Sequence, residues 1–194
     1  SILSISKIDA NQDHRASDKV EINQVIDNAI FIMRPAIEKM EQVITFNASE
    51  ELFVEGDPGQ LNQVLINLIG NASKFSPNGS QIRISLAAVT LSGGIEYAKI
   101  EIEDHGIGIP AEDISLLSTR FFRAKNTASG QYPGTGLGLA IVDQILNSHC
   151  GRLSVASTLG EGTTITILLP LYLSNDEKLI RDRRGDVLAR AIQS

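Results

Sequence analysis

The sequence predicts an α+β sandwich, in which a mixed, mostly antiparallel sheet is covered on one face by three helices. Two observations favour this fold class. Segments with helical periodicity alternate with pairs of short strands, and turns rich in glycine or proline separate them. The chain also lacks internal repeats and low-complexity tracts. A layer of helices on a sheet buries one apolar face of each element.

Composition and charge restrict the class of function. The 194 residues are 42% hydrophobic and 21% charged, and no stretch approaches the ~18 apolar residues of a membrane span. The net charge is −6 and the basic residues are scattered, so we expect this domain to contact neither nucleic acid nor membrane. Cys150 is the single cysteine, which excludes an internal disulfide and fits a cytoplasmic location.

Both ends of the chain are expected to lie outside the domain, which then spans residues 20–173. Residues 1–12 carry isoleucines at helical spacing, as at the end of a helix that began earlier. Residues 13–19 are polar and irregular, which is typical of a hinge. Residues 174–194 form a polar tail with a weak apolar face, predicted to be helical.

The domain is predicted to begin with an amphipathic helix from Ile22 to Met40. Pro35 falls inside this pattern, and we expect it to kink the helix or to end its first segment near Arg34. Two short strands, 43–47 and 52–55, follow with a polar turn between them.

A second helix is predicted to start at Asp57-Pro58, where a side-chain cap precedes a proline at the first helical position. It ends near Phe75, because Ser76-Pro77 cannot continue a helix. Strands at 81–89 and 96–103 then alternate as a hairpin.

The remaining third of the domain contains a long irregular segment and a final helix. A turn at 104–110 leads into irregular chain as far as Pro133. The last helix opens at Gly134–Gly138 and ends near His149. Strands at 152–157 and 163–169 are predicted to close the sheet.

The second helix carries a polar stripe beside its apolar face. Asn67, Asn71 and Lys74 are spaced i, i+4 and i+7 and border that face, so we expect their side chains to be half-buried. Amide oxygens are suitable ligands for Mg²⁺, and a lysine supplies a positive charge for phosphate. The alternative is a solvated helix flank with two incidental asparagines.

A second candidate site follows the hairpin. Asp104 ends a strand, where its carboxylate can accept a hydrogen bond from an exocyclic amine such as that of adenine. Gly106 and Gly108 would let a flat ring approach the backbone. The alternative is a surface turn with an acidic cap. In either case we expect His105 to be a solvent-facing turn residue and not a base.

A glycine loop, residues 134–138, leads directly into the last helix. Unpaired N–H groups at a helix start, exposed by glycines, bind phosphate. The spacing is that of neither the dinucleotide fingerprint nor the P-loop, and the signatures of serine, threonine and tyrosine kinases are absent.

Together, and in this order, these segments resemble the N, G1, F, G2 and G3 boxes of sensor histidine kinases. The boxes are residues 67–77, 104–108, 120–123, 134–138 and 160–164, and the resemblance covers roughly residues 20–170. It implies the Bergerat α/β sandwich shared with gyrase, mismatch-repair and chaperone ATPases. It also implies ATP and Mg²⁺ as cofactors, with residues 110–133 as a flexible ATP lid.

The resemblance assigns a role to each matching residue. Asn71 and Asn67 would hold Mg²⁺, Lys74 would reach a phosphate, and Arg123 would approach the γ-phosphate, so these four are the predicted catalytic residues. Asp104 would bind the adenine amine. The other predicted nucleotide contacts are Phe75, Gly106, Gly108, Ile109, Gly134, Thr135, Gly136, Leu137, Gly138, Leu139 and Thr163.

One position departs from the family pattern. The F box usually has a phenylalanine three residues before its Phe-Phe/Tyr-Arg core, and here that position is Ser118. We therefore expect the lid to be anchored less firmly on the domain.

Asn67 favours phosphoryl transfer over hydrolysis. The ATPases of this superfamily carry a glutamate one turn before the Mg²⁺ asparagine, where it activates water, and an amide cannot act as a general base at neutral pH. Transfer depends instead on positioning and on charge neutralisation.

The sequence contains no recognisable acceptor. Histidine kinases accept phosphate within an His-[Asp/Glu]-x-[Arg/Lys]-x-Pro box on a dimerising helical hairpin, and none of His14, His105 and His149 is flanked in this way. We therefore expect a catalytic fragment that acts on a separate dimerisation domain, with a response regulator as the further partner. The parent protein is expected to be a homodimer and this fragment a monomer.

Two alternatives remain at this point. One is a non-catalytic nucleotide-binding module of the same fold. The other is a serine-directed kinase of the anti-sigma type. Such kinases lack a preceding hairpin helix, so the helical pattern of residues 1–12 argues against this alternative.

Overall fold

The structure is a computed structural model that describes residues 18–92, 94–127 and 135–173. The predictions for residues 1–12, 13–17 and 174–194, and the one for Gly134, lie outside the described residues.

The centre of the fold is a five-stranded sheet with the strand order β2-β4-β5-β7-β6. β2 pairs in parallel with β4, and the other three pairs are antiparallel, so the predicted mixed, mostly antiparallel sheet is confirmed. The parallel pair needs a crossover connection, which the second helix supplies. The strands are β2 (Val43–Ala48), β4 (Gln81–Leu91), β5 (Ile95–Asp104), β6 (Arg152–Thr158) and β7 (Gly162–Pro170).

A second, two-stranded sheet lies where the described chain begins. β1 (Asp18–Glu21) pairs antiparallel with β3 (Phe53–Gly56), so the hinge predicted for residues 13–19 does not include Asp18 and Lys19. Val20 and its cross-strand partner Val54 are both buried. The sequence pattern missed β1 because four residues, three of them charged, show no alternation of their own.

Three helices, α1, α2 and α4, cover one face of the large sheet, as predicted. α2 lies in the middle and contacts α1, α4 and the strands β4 and β5. Its apolar arc is buried, and it includes Leu61, Val64, Leu65, Leu68, Ile69 and Ala72. The helices are α1 (Ile22–Lys39), α2 (Pro58–Phe75), the short α3 (Ala111–Ile114) and α4 (Gly138–Ser148).

α1 continues through its internal proline. The helix runs from Ile22 to Lys39 and contains Pro35, so the predicted end near Arg34 is wrong. The hydrogen bond that Pro35 cannot make would go to the carbonyl of Phe31. Both residues are exposed, and water can therefore satisfy that carbonyl.

Side-chain hydrogen bonds hold both ends of α2. Asp57 accepts from the backbone N–H groups of Gly59 at 2.7 Å and Gln60 at 3.0 Å, which confirms the predicted cap. At the other end, the buried Gln42 donates to the carbonyl of Ser73 at 2.9 Å and accepts from its hydroxyl at 2.6 Å. These bonds position the last turn of α2, on which the predicted phosphate lysine lies.

Within the described residues, no helix has the length and apolar character that crossing a lipid bilayer requires.

We predict that Asp57→Ala lowers the free energy of unfolding by about 1 kcal/mol, because two N–H groups of the first turn of α2 lose their acceptor. Urea denaturation monitored by circular dichroism measures this difference. Asp27→Ala is the matched control, since Asp27 lies exposed in the interior of α1. Equal losses in the two variants would contradict the role of the cap.

Candidate functional site

The polar stripe of α2 borders the start of α4. Asn67, Asn71 and Lys74 are each half-buried, as expected from their place beside the apolar arc. Gly138 is the first residue of α4, and a Cβ on it would lie 3.8 Å from Oδ1 of Asn67. Among the described residues, neither asparagine amide has a protein hydrogen-bond partner. Two unengaged amide oxygens on one helix, one of them beside the N-terminus of α4, fit a Mg²⁺–phosphate complex.

Two cationic side chains converge at the end of this stripe. Burial, and secondarily the positive charge of Arg123, lower the pKa of Lys74 below its ordinary value. The Lys74 ammonium lies 4.7 Å from the centroid of the Phe75 ring, and no carboxylate of the described residues forms an ion pair with it. Like charges brought together at the end of a buried helix indicate a site for a polyanion.

Asp104 ends β5 with its side chain buried. Its Oδ1 accepts a hydrogen bond from the backbone N–H of Gly106 at 2.9 Å. Burial raises the pKa of the Asp104 carboxyl above its usual value, and hydrogen bonds from the backbone of Gly106 and Thr163 oppose part of this rise. The charge of His105 also lowers this pKa, but among the described residues no side chain forms an ion pair with Asp104. Such a buried carboxylate is suited to a ligand that brings its own hydrogen-bond donor.

The loop after Asp104 packs so closely that its glycines are required. A Cβ on Gly106 would lie 2.5 Å from the carbonyl oxygen of Phe75, and the same carbonyl accepts from Ile107 N–H at 3.0 Å. Gly108 has a φ of +65° and packs against the backbone of Thr158. The end of α2, including Phe75, is therefore attached to the loop that follows Asp104.

Ser157 joins Ile109 and Thr163 beneath this loop. The N–H of Ile109 donates to Oγ of Ser157 at 2.9 Å, and Ser157 in turn donates to the carbonyl of Gly162 at 2.8 Å. The Thr163 hydroxyl lies 2.9 Å from the same Oγ, and its side chain is buried. Thr163 therefore supports the loop from below and faces Asp104 across the β5–β7 ladder.

The described part of the second glycine loop, residues 135–138, combines open and buried positions. Thr135 is exposed, and Gly136 has a φ of +71° and packs against the backbone of Phe121 and Phe122. Leu137 is a core residue and Leu139 packs against the core. Their side chains therefore serve the fold, and the first turn of α4 offers backbone N–H groups with no side-chain cap.

Residues 111–127 of the predicted lid form hydrogen-bonded structure. Arg123 donates through Nη2 to the carbonyl of Thr127 at 2.6 Å, and Thr127 is the last residue of a 3₁₀ turn at Lys125–Thr127. The buried Asp113 of α3 accepts from Lys125 N–H at 2.8 Å. Ser118, at the position that departs from the family pattern, is exposed.

The structure thus brings predicted parts of the site together at three separate contacts. Asn67 lies beside the start of α4, Phe75 contacts the loop after Asp104, and Arg123 acts electrostatically on Lys74. Sequence reasoning missed Gln42, Ser157 and Asn126, which hold these parts in place. None of the three lies in a recognisable motif, because each acts on backbone groups far away in the sequence.

We predict that Asp104 gives the fold a specific pH dependence. The pKa of Asp104 is raised in the folded chain. The stabilising effect of its protonated carboxyl is therefore complete below the unfolded-state pKa and is lost as the pH rises through the folded-state pKa. The unfolding free energy of Asp104→Asn relative to wild type should therefore increase from about pH 3 to about pH 7. Thermal denaturation across this range measures the difference, and Asp27→Asn, at an exposed position of α1, is the control for an added amide. A difference independent of pH would contradict the prediction.

The comparisons with known proteins agree with this geometry. Residues 56–173 match the family model of the histidine kinase-, DNA gyrase B- and HSP90-like ATPases. The chain is 33% identical over 185 residues to the sensor-like histidine kinase SenX3 of Mycolicibacterium smegmatis, covering 95% of this chain and 46% of that protein. It is 32% identical over 169 residues to the sensor histidine kinase WalK of Bacillus subtilis, covering 87% of this chain and 27% of that protein.

A solved structure extends the likeness to three dimensions. The mycobacterial sensor histidine kinase MprB superposes with a TM-score of 0.70 at 30% identity, covering 82% of this chain and 100% of that one. The chain spans less than half of the length of the curated relatives that it matches. The chain belongs to the histidine kinase-, DNA gyrase B- and HSP90-like ATPase family, as the ATP-binding catalytic domain of a sensor histidine kinase.

Proposed function

We propose that this domain transfers the γ-phosphoryl group of ATP to a histidine on a separate dimerisation domain. The observation that carries the proposal is the amide of Asn67 beside the first residue of α4. A general base at this position would direct water at the phosphate, whereas an amide does not accept a proton at neutral pH. Transfer to a side chain presented by another domain is then favoured over hydrolysis.

The adenine end of the nucleotide binds at the loop after β5. Asp104 accepts a hydrogen bond from the exocyclic amine, and this donor offsets part of the cost of burying the carboxylate. Gly106 and Gly108 shape the loop on this side of the pocket, because any side chain there would meet backbone atoms of Phe75 or Thr158. Phe75 and Ile109 flank this pocket.

The phosphate end binds between α2, α4 and the lid. Asn71 and Asn67 supply amide oxygens for Mg²⁺, which when bound neutralises charge on the phosphate oxygens. Lys74 and Arg123 supply positive charge, and Gly136 and Gly138 supply backbone N–H groups at the start of α4. Gly134 is assigned to the same loop by its sequence alone.

Neither histidine of the described residues is a suitable acceptor. His149 accepts a hydrogen bond at Nε2 from the backbone N–H of Asp57 at 3.0 Å, and its Nδ1 lies 2.8 Å from the carbonyl of Ile145. His105 is exposed beside Glu103, outside any acceptor box. His14 lies outside the described residues, and its sequence neighbours do not form an acceptor box. In this proposal the phosphate passes to a histidine on another domain and from there to a response regulator, in a cytoplasmic reaction of a homodimeric parent protein.

The experiment supplies the missing acceptor. The chain is incubated with Mg²⁺, radiolabelled ATP and a separately produced histidine-bearing helical hairpin. We expect acid-labile label on the hairpin, none when its histidine is replaced by glutamine, and none on the chain alone. Acid-stable label on serine would favour a serine-directed kinase, and nucleotide binding without transfer would favour a non-catalytic module.

We predict that Asn67→Glu raises ATP hydrolysis in the absence of any hairpin, because the new carboxylate can act as a base toward water. Phosphate release measured at neutral pH reports this change. Asn67→Gln is the matched control, since it lengthens the side chain by one carbon and remains an amide. An unchanged rate in a glutamate variant that still binds ATP would contradict the assignment of Asn67.

A further inference from the structure

Residues 121–127, here called the bridging segment, are attached at both ends to the glycine loops of the nucleotide site. The N–H of Phe121 donates to the carbonyl of Gly136 at 3.0 Å. Near the other end, Nδ2 of Asn126 donates to the carbonyl of Gly108 at 2.8 Å. The bridging segment therefore spans from the loop before α4 to the loop after β5.

Arg123 lies between these two attachments, and the local turn directs its side chain. Its Nη2 donates to the carbonyl of Thr127 at 2.6 Å. The Thr127 hydroxyl and N–H donate to the carbonyl of Ala124 at 2.8 Å and 2.9 Å, so the turn is closed on itself. A displacement of Asn126 would therefore move the carbonyl that holds the guanidinium.

The other side of the Asn126 contact is fixed independently of the lid. On either side of Gly108, the N–H of Ile107 donates to Phe75 and the N–H of Ile109 donates to Ser157. Gly108 itself packs against the backbone of Thr158. Contacts with the end of α2 and with β6 thus fix the Gly108 carbonyl, to which Asn126 attaches the bridging segment.

Asn126 is not the residue that stability alone would favour at this position. Its Oδ1 is buried and has no hydrogen-bond partner among the described residues. A buried acceptor without a donor is unfavourable, and it opposes what the bond from Nδ2 contributes. Removing the whole amide should therefore change stability little, whereas it would release the bridging segment from Gly108.

We propose that Asn126 is a positioning residue for phosphoryl transfer, which holds Arg123 toward the γ-phosphate by attaching the bridging segment to the loop after β5. The inference rests on the proposed function of this site. Asn126 acts through Arg123 and touches no reacting atom. The lowered pKa of Lys74, to which the charge of Arg123 contributes, agrees with a guanidinium held on the phosphate side.

The first test compares two nucleotides that differ in the γ-phosphate. Isothermal titration calorimetry measures the affinities of the chain for Mg²⁺ with ADP and with a non-hydrolysable ATP analogue. We expect Asn126→Ala to weaken the analogue about tenfold and ADP less than about twofold, since Arg123 meets only the γ-phosphate. Asn147→Ala is the matched control, because Asn147 is exposed and its side chain bonds Asp143 within α4.

The second test asks whether Asn126 acts through Arg123. If it does, Arg123→Ala and the double variant with Asn126→Ala should bind the ATP analogue equally weakly. Additive losses in the double variant would overturn the proposal, as would equal losses for ADP and the analogue in Asn126→Ala.

Folding and function are separated by two further measurements. In thermal unfolding, the melting temperature of Asn126→Ala should be close to that of wild type. Asn126→Asp, which presents a carboxylate to the Gly108 carbonyl, should lose affinity for the analogue as Asn126→Ala does. Unfolding of both variants would indicate a structural residue and overturn the proposal. Asn126→Ala could lose the analogue selectively while the wild-type chain phosphorylates no hairpin. That result would contradict the proposed function and still support the positioning of Arg123 by Asn126.

Discussion

The packing of α2 on the five-stranded sheet is the constraint from which the site geometry follows. Six apolar side chains of α2 are buried there, and burying a side chain such as leucine or isoleucine contributes about 1.5–3 kcal/mol. A typical hydrogen bond contributes a net amount of only about 1 kcal/mol. Apolar burial therefore decides the rotation of α2 about its axis, and it leaves Asn67, Asn71 and Lys74 at the half-buried border of the apolar arc.

The site retains charges that are unfavourable in the absence of a ligand. Lys74 and Arg123 repel each other, and the Asp104 carboxylate is ionised only against the cost of its burial. The nucleotide of the proposed function would complement both ends, because it carries negative phosphates and an exocyclic amine that donates hydrogen bonds. Its binding would recover free energy that the fold loses here, which is the usual relation between stability and function at such sites.

The lid is attached to this frame through backbone groups and short polar side chains. Asp113 and Lys125 join its two limbs, and Phe121 and Asn126 join it to the two glycine loops. These attachments lie on both sides of Arg123. They also show how the lid can contact the domain although Ser118 replaces the usual phenylalanine and is exposed.

The sequence by itself determined the class of fold and the family, and it predicted the main binding residues. Helical periodicity, the cap at Asp57 and the alternating strands are local patterns, and the boxes around Asn71 and Asp104 are contiguous, so both could be recognised without a structure. Local patterns also misled at Pro35, because the exposed side of α1 tolerates the missing hydrogen bond.

Only the tertiary structure decided which parts of the site meet. β1 is stabilised by its pairing with β3, Gln42 by the end of α2, and Asn126 by Gly108, and each of these contacts joins residues distant in the sequence. The same holds for Leu137 and Leu139, which lie in a phosphate-loop motif and pack in or against the core. A single sequence records the residues of such contacts but not their pairing, because a side chain that bonds a distant backbone group leaves no periodic or contiguous pattern.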